Sequence, residues 1–376
     1  MTLKPKSVIS AMTTYYEEHP GCSDRALHSF AQTTAKKVEG ARHKIAAAIG
    51  AEDPRTIIFT KNATESINML AQMLPFERGD TILTTDLEHN SNLLPWQFLQ
   101  YKKGVNFRRL PIRPDQEGFD LNALEQALKE NRVKLVSCFH ASNVTGMLLP
   151  VKEMIRAAHQ HGALFLLDAA QSAASEKIDV SDVDVDFLAC SVHKMFGPTG
   201  VGVLYGKAEL LDSLTPYHVG GGGVLDVTYD SCTLAAIPHK FETGLLDYAG
   251  IIGAGAAVDF LESIDLLAAK EHVGSLNRFV SEELAQCNGV TILGPHDPSR
   301  RGGIVNIVVS DRDVAEIGLM LDTAARIMVR TGVHCAHAWY HQHKLLPSLR
   351  ASFSIYNTLD EAETFVKNLR AIVRGR

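Results

Sequence analysis

Three side chains, each placed just after an apolar run or a turn glycine, carry most of the chemistry open to this chain. Cys335 sits in RTGVHCAH, after Arg330 and between His334 and His337. A thiol attacks as its thiolate, which nearby cations favour, and Arg330, His334 and His337 are the candidates to supply that charge. Two other readings of the stretch stay open. Cys335 is buried packing, or it joins His337, His341 and His343 in a C-x-H-x3-H-x-H zinc cluster, since thiolate and imidazole suit that ion. Lys194, in SVHKMFGPTG, follows the run DFLACS and precedes a turn forced by Gly197-Pro-Thr-Gly. A lysine there either forms a Schiff base with a carbonyl cofactor or is a solvated loop residue. Asp168 closes ALFLLD, where a carboxylate either holds a cationic ring nitrogen or caps a helix. Gln171 follows it by about one turn. Asp168 and Lys194 lie one strand–helix–strand unit apart, which favours the cofactor reading of both.

Weaker candidates share the same placement. Ala63-Thr64-Glu65 follows RTIIFT and opens a helix, whose free N–H groups suit a phosphate; Asn-x-Thr-Glu is also an ordinary helix start. Ser191 and His193 are further phosphate donors beside Lys194. His89, in DLEHNSNLLPW, follows a strand and is placed to stack on a flat ring, or is a surface histidine. Asn143, in FHASNVTG, is placed to bond a phenolic oxygen, or is a turn asparagine before Gly146.

These residues need a scaffold that puts strand ends at one edge. RTIIFT, DTILTTD, KLVSCFHAS, ALFLLDAA, DFLACS and VGVLYG read as strands. TESINMLAQML, DLNALEQALKEN and VKEMIRAAHQHG read as helices, the last ending in a His-Gly cap signal. Repeated strand–helix–strand units imply a parallel sheet covered on both faces, with ligands at the carboxyl ends of its strands. A long helix is expected from about Gly250 to Lys270. After it, separated strands (GIVNIVVSD, RIMVRTG, LRASFSIYN) and helices read as a smaller α+β unit. The expected division is a large domain over 15–249 and a small domain built from 1–14 and 250–376.

Bulk properties remove other classes. At 376 residues the chain exceeds one ordinary core, so two domains are expected. With 45% hydrophobic and 21% charged residues it is neither disordered nor fibrous. A net charge of -6 argues against nucleic acid as a partner. No run has the length of a membrane span and the start lacks an apolar signal region, so a cytoplasmic protein that makes no membrane contact is expected. The 6 cysteines are scattered without a CxxC, which fits free thiols in a reducing compartment.

Taken in order, ATESIN, EHNSNLLPW, ASNVTG, DAAQS, SVHKMFGPTG, FETG, RTGVHC and LRASFSIYNT resemble the pyridoxal-phosphate enzymes of fold type I, class V aminotransferase group. Within that group the match is to cysteine desulfurases and selenocysteine lyases. The short link from Arg330 to Cys335 resembles the subgroup serving SUF-type iron–sulfur assembly. The resemblance implies an α/β fold, a mainly parallel seven-stranded sheet domain with a smaller α+β C-terminal domain, and pyridoxal 5'-phosphate as cofactor. It implies that Lys194 bonds the cofactor, Asp168 holds its pyridine nitrogen and His89 stacks on the ring and moves protons. Asn143 and Gln171 would bond the phenolic oxygen. Ala63, Thr64, Ser191 and His193 would form the phosphate site. Arg350 would grip the carboxylate of L-cysteine, with Arg330 and Asn143 beside it, and Cys335 would take the sulfur as a persulfide while alanine leaves. A homodimer and a sulfur-acceptor or iron–sulfur scaffold protein are the implied partners, and no metal is implied.

Alternatives within the cofactor class are a selenocysteine lyase, another C–S lyase or an epimerase, with Cys335 a bystander in the last two. A metal-binding protein or a degenerate cofactor scaffold lies further off. The chain departs from the family pattern in several places. It starts at MTLKPKSVI without the Leu-Asp-x-Ala-Ala-Thr segment that lines the substrate pocket. SDRALH places Asp24 and Ala26 where histidine and glycine are usual. Leu245 replaces a threonine that reaches the partner subunit's phosphate, and Val333 replaces the first histidine of His-His-Cys.

Overall fold

The computed structural model describes residues 1–23 and 26–374, so the Asp24 departure lies outside the described residues. Helices α1 (Lys6–Glu18) and α2 (Ser29–Ala48) precede β1 (Ile57–Thr60). There follow α3 (Ala63–Met73), β2 (Thr81–Thr85), α4 (Leu94–Lys103), β3 (Asn106–Leu110), α5 (Leu121–Glu130) and β4 (Val133–Phe139). Next come α6 (Val151–Gln160), β5 (Leu164–Asp168), α7 (Val180–Val183), β6 (Phe187–Ser191), β7 (Gly202–Gly206) and α8 (Ala208–Ser213). A hairpin of β8 (Val224–Val227) and β9 (Cys232–Leu234) leads to α9 (Tyr248–Glu262) and α10 (Leu266–Ala285). The remainder is β10 (Val290–Ile292), β11 (Ile304–Val309), α11 (Val314–Ala325), β12 (Arg330–Gly332), α12 (His337–Gln342), β13 (Ser348–Ser352) and α13 (Leu359–Val373).

The first seven strands form one sheet in the order β1-β7-β6-β5-β4-β2-β3. Strands β6, β5, β4, β2 and β3 pair in parallel, and β7 is antiparallel to both β6 and β1. The sheet is thus mainly parallel and seven-stranded. Strands β2, β5, β6 and β7 are almost wholly buried, as continuous apolar runs covered on both faces must be. Strand β3 escapes the sequence pattern: NFRRL lies at the sheet edge with Arg108 and Arg109 exposed, so it reads as polar. The predicted His-Gly cap appears after α6, where Gly162 takes a left-handed φ of 72°.

The helix expected from Gly250 to Lys270 is two helices. Ser263 ends α9, and Asp265 caps α10 by accepting from the backbone N–H groups of Leu267 and Ala268. A capping aspartate satisfies amides that a continuous helix would have bonded itself. Tyr248, Ile251, Ile252 and Val258 of α9 pack with α2 and the main sheet in one apolar cluster. A separate cluster joins α10, β11, α11, β13 and α13, behind a second sheet ordered β10-β11-β13-β12.

The FETG motif is anchored deep in the fold. Glu242 forms a two-pronged ion pair with Arg42, both oxygens at 2.8 Å, and both side chains are 1% exposed. Arg42 also donates to Ile57 O, and Glu242 Oε1 accepts from Phe59 N–H. The pair ties α2, β1 and the loop before α9 together, and its remaining valences are met by backbone and by the Glu39 carboxylate, which accepts from Arg42 Nε at 3.1 Å.

Candidate active site

Because β7 is antiparallel to both its neighbours, β1 runs parallel to β6, and five strand ends meet at one edge. β5 ends in Asp168, β6 in Ser191, β1 leads to Ala63 at the start of α3, β2 leads to His89 and β4 to Asn143. Asp168 is 6% exposed and its Oδ1 accepts the Ala170 N–H at 2.9 Å. Burial raises its carboxyl above the usual range, opposed by that N–H and by the Lys194 ammonium. Lys194 is half-buried on a short turn after β6. Burial lowers its amine, Asp168 opposes the shift, and Arg350 and Arg330 add to it.

His89 is held neutral. Burial, then the charges of Lys194, Arg330 and Arg350, push it down to about 4. Its Nδ1 accepts the Ser91 N–H at 3.1 Å, so the one proton of the neutral ring sits on Nε2. His193 is likewise lowered to about 4, by burial and then Lys194, and its backbone oxygen accepts from Thr2 and Lys4. The start of the chain therefore lies against the Lys194 turn.

The N-terminus of α3 is lined with hydroxyls. Ala63 N–H donates to Ser191 Oγ at 2.9 Å, and Thr64 Oγ1 lies 2.7 Å from Ser91 Oγ. Asn62 caps the helix by accepting from Glu65 N–H. Gly202 is obligatory here: a Cβ on it would come within 2.4 Å of the Asn62 backbone, so only glycine lets β7 pass beneath the helix start. Ser91 was not singled out in the sequence. Gln171 lies half-buried in the turn after β5.

Asn143 Nδ2 donates to His334 O at 2.6 Å, which ties it to the cysteine loop and leaves the second N–H of the amide for another acceptor. Its own backbone oxygen accepts from Arg350 Nη1 at 2.6 Å. Arg330 and Arg350 are directly paired residues of the antiparallel strands β12 and β13, so their side chains share a face. Burial, then Arg330, lowers Arg350 to about 10. Its buried Nε has no hydrogen-bond partner among the described residues. Two cations side by side with an open donor make a receptor for a carboxylate.

Cys335 is half-buried, with Arg330 Nη2 donating to Sγ at 3.0 Å. Its backbone oxygen accepts Asn90 N–H at 2.7 Å, which seats the cysteine loop on the His89 loop. Of the three cations proposed for it, Arg330 is the one with a bond to Sγ among the described residues. His334 is lowered to about 3, by burial and then by Arg350 and Arg330, and is neutral. His337 is exposed, with Nδ1 3.0 Å from Asn90 Nδ2. The zinc reading also loses its geometry: His343 turns to Asp86 at 3.3 Å. No group of three or more His, Cys, Asp or Glu side chains is placed to hold a metal among the described residues.

Glu88 is a buried ionisable group beside the site that sequence reasoning missed. It is 1% exposed and accepts from Thr85 Oγ1, Asn92 Nδ2 and Phe139 N–H. Burial raises it to about 8, and the charge of Asp168 adds to the rise. The signal available was its position directly before His89 in a loop leaving a buried strand.

The model of the aminotransferase class-V family matches residues 1–365. A probable cysteine desulfurase of Vibrio cholerae is 35% identical over 99% of this chain and 91% of its own length. One from Halalkalibacterium halodurans is 38% identical over 97% of this chain and 89% of its own. The apo structure of a cysteine desulfurase from Thermococcus onnurineus superposes with a TM-score of 0.95 at 37% identity, covering 100% of this chain and 93% of that one. The cysteine desulfurase CsdA of Escherichia coli, in an S-sulfonic acid form, gives 0.90 at 32% identity over 98% and 92%. Seven-stranded sheet, strand-end residues and relatives agree: the chain belongs to the aminotransferase class-V family and, within it, to the cysteine desulfurases.

Proposed function

We propose that this chain converts L-cysteine to L-alanine, using pyridoxal 5'-phosphate and leaving the sulfur as a persulfide on Cys335. The observation that carries the reading is the Arg330–Cys335 contact on a loop fastened to the His89 and Asn143 loops. It puts a thiol with a cationic partner in the same electrostatic field as Lys194 and Arg350.

The residues fit the cofactor. Asp168 is a buried carboxyl in no ion pair among the described residues, suited to a protonated ring nitrogen. Lys194 is the amine that would bond the aldehyde carbon. Ser191, Thr64, His193 and the first amides of α3 would hold the phosphate, and His89 would lie on the ring with Gln171 at its edge. Bound there, the cofactor supplies an electron sink for the substrate α-carbon.

The chain's own groups do the rest. Arg350 Nε and Arg330 bind the substrate carboxylate and fix which α-bond faces Lys194. The lowered Lys194 amine takes the α-proton, since a neutral amine is the base. Neutral His89 keeps a proton on Nε2 to give or share without adding charge. Cys335 Sγ attacks the substrate sulfur; the new S–S bond forms as the C–S bond breaks, and the thiol proton ends on the released alanine. Cysteine plus enzyme thiol thus becomes alanine plus enzyme persulfide, with no outside oxidant.

The persulfide passes to a sulfur-acceptor or iron–sulfur scaffold protein. A second copy of the chain covers the exposed apolar residues Leu225, Val227, Tyr229 and Leu245 around the hairpin and the FETG turn, and light scattering tests that homodimer. A cytoplasmic site of action goes with this reading, and no helix among the described residues is long and apolar enough to cross a membrane. The deciding experiment compares the parent with Cys335→Ala, given L-cysteine and a reductant. Alanine and sulfide from the parent alone support the assignment. Equal turnover by both would sink it in favour of a C–S lyase that does not use Cys335.

A further inference from the structure

The nucleophile sits on unfavourable backbone. His334 and Cys335 are consecutive left-handed residues, with φ of 50° and 60°. Neither is glycine, and a residue with a Cβ holds this conformation only where its surroundings fix it. The bonds from Asn143 and Asn90 to the loop's carbonyl oxygens hold one side. The other side is held by a buried polar chain not used so far.

His334 is 1% exposed, and its Nε2 lies 2.9 Å from Ser348 Oγ. Ser348, fully buried, also lies 2.5 Å from Tyr340 Oη and 3.5 Å from Gly332 O. Tyr340 Oη in turn accepts from Asn306 Nδ2 at 3.2 Å. One proton arrangement satisfies every donor. Asn306 donates to Tyr340, Tyr340 and His334 Nε2–H both donate to Ser348 Oγ, and Ser348 donates to Gly332 O. The acceptors His334 Nδ1 and Asn306 Oδ1 are then left over, and both atoms are without a partner among the described residues. The opposite histidine tautomer would strand an N–H in the interior, which costs more.

We propose that Ser348, backed by Tyr340 and Asn306, is the positioning element of the nucleophile: by gripping His334 it fixes the turn that presents Cys335 Sγ to Arg330. Ser348 touches neither the thiol nor the guanidinium, and acts through the backbone between them. The same hydroxyl bonds the end of β12, two residues from Arg330, so both members of the thiol–guanidinium contact are registered from one point. The inference rests on Cys335 being the nucleophile, and its test does not.

The test is a double-mutant cycle on the reactivity of the thiol. Iodoacetamide labelling of Cys335 in the holoenzyme is followed by mass spectrometry of the peptide containing it, so that exposed Cys22 and Cys232 do not contribute. Arg330→Gln in the parent is expected to slow the labelling about fivefold, the upper end for a close surface ion contact. In the Ser348→Ala background the same change is expected to alter it less than about twofold, because the contact is already lost. Tyr340→Phe keeps the ring and its packing and gives an intermediate coupling, which preserves the test should Ser348→Ala fold poorly. In turnover, both variants lower kcat for alanine with little change in KM for L-cysteine. Effects of Arg330→Gln that stay about fivefold in both backgrounds would overturn the proposal. Labelling needs no turnover, so an enzyme that ignores Cys335 in catalysis would fail the desulfurase reading and leave this result standing.

Discussion

Replacing Arg350 by methionine is expected to make the protein more stable and worse at binding L-cysteine. In the fold the guanidinium is buried beside Arg330, its Nε has no partner among the described residues, and it is lowered to about 10. The sign follows from which form burial disfavours. At pH 7, below both values, the side chain is charged in folded and unfolded chains alike, and the full penalty is borne by the fold. A shift of that size corresponds to about 3 kcal/mol. Against it, Arg350→Met strands the Asn143 carbonyl oxygen that Nη1 now serves, at a cost of about 1–2 kcal/mol. The net is a gain of about 1–2 kcal/mol, a rise of a few degrees in Tm. Methionine fills the methylene space of arginine and carries no charge. Binding moves the other way: a charged hydrogen bond to a carboxylate is worth about 1.5–3 kcal/mol, so KM should rise roughly 10- to 150-fold. Calorimetry with and without L-alanine, alongside steady-state kinetics, gives both numbers. L-Alanine should raise the Tm of the parent and not of the variant. A variant that melts below the parent, or binds L-cysteine as well, would refute the reasoning.

Three further outcomes follow from other parts of the fold. His89, His140 and His193 are lowered to about 4 and His334 to about 3, each chiefly by burial. The unfolded chain then binds more protons below about pH 6.5, so Tm should fall from there toward about pH 4; His140→Gln should make the fall shallower, and a flat Tm across that range would contradict it. Glu242→Gln breaks a fully buried ion pair and leaves Arg42 paired with the more exposed Glu39, which should cost about 3 kcal/mol in urea unfolding, the low end for a broken buried pair. Gly202→Ala should clash with the start of α3, and is expected to weaken phosphate-containing cofactor retention, measured by dialysis and absorbance, more than it lowers Tm.

Much of the site was legible because one rule located it: on a parallel sheet the working residues follow the strand ends. Asp168, Lys194, His89 and Asn143 were all found that way, and all lie at one edge. What was not legible depends on partners distant in sequence. Asn143 reads as a cofactor ligand, and only the packed fold shows that its amide also donates to His334 O. His334 looked like a cation beside the thiol, and burial next to two arginines makes it neutral. Ser348 and Tyr340 carry no motif, because an ordinary serine becomes a hub only when three other elements deliver polar groups to it. Strand β3 and the α9–α10 break were missed for local reasons. An edge strand need not be apolar, and Asp265 ends one apolar pattern by beginning another.

The distribution of charge in the site has one further consequence. Arg330 and Arg350 lower the Lys194 amine, all three cations lower His89, and Asp168 opposes the shift at Lys194. Without anions the cluster is electrostatically strained, and the fold tolerates this by keeping His89, His193 and His334 neutral. A phosphate at α3 and a carboxylate at Arg350 would each relieve it. Their binding free energies are therefore coupled through the shared cations, and coupling is reciprocal. Substrate carboxylate should be held more weakly once phosphate has already compensated Lys194, and a substrate lacking the carboxylate should lose more than one contact's worth of affinity. Cysteamine, which keeps the amine and thiol of cysteine and lacks that group, is the ligand that separates this field effect from the hydrogen bond itself. Its deficit against L-cysteine should shrink at high salt if the field contributes, because screening acts on the field and leaves the short contact largely intact.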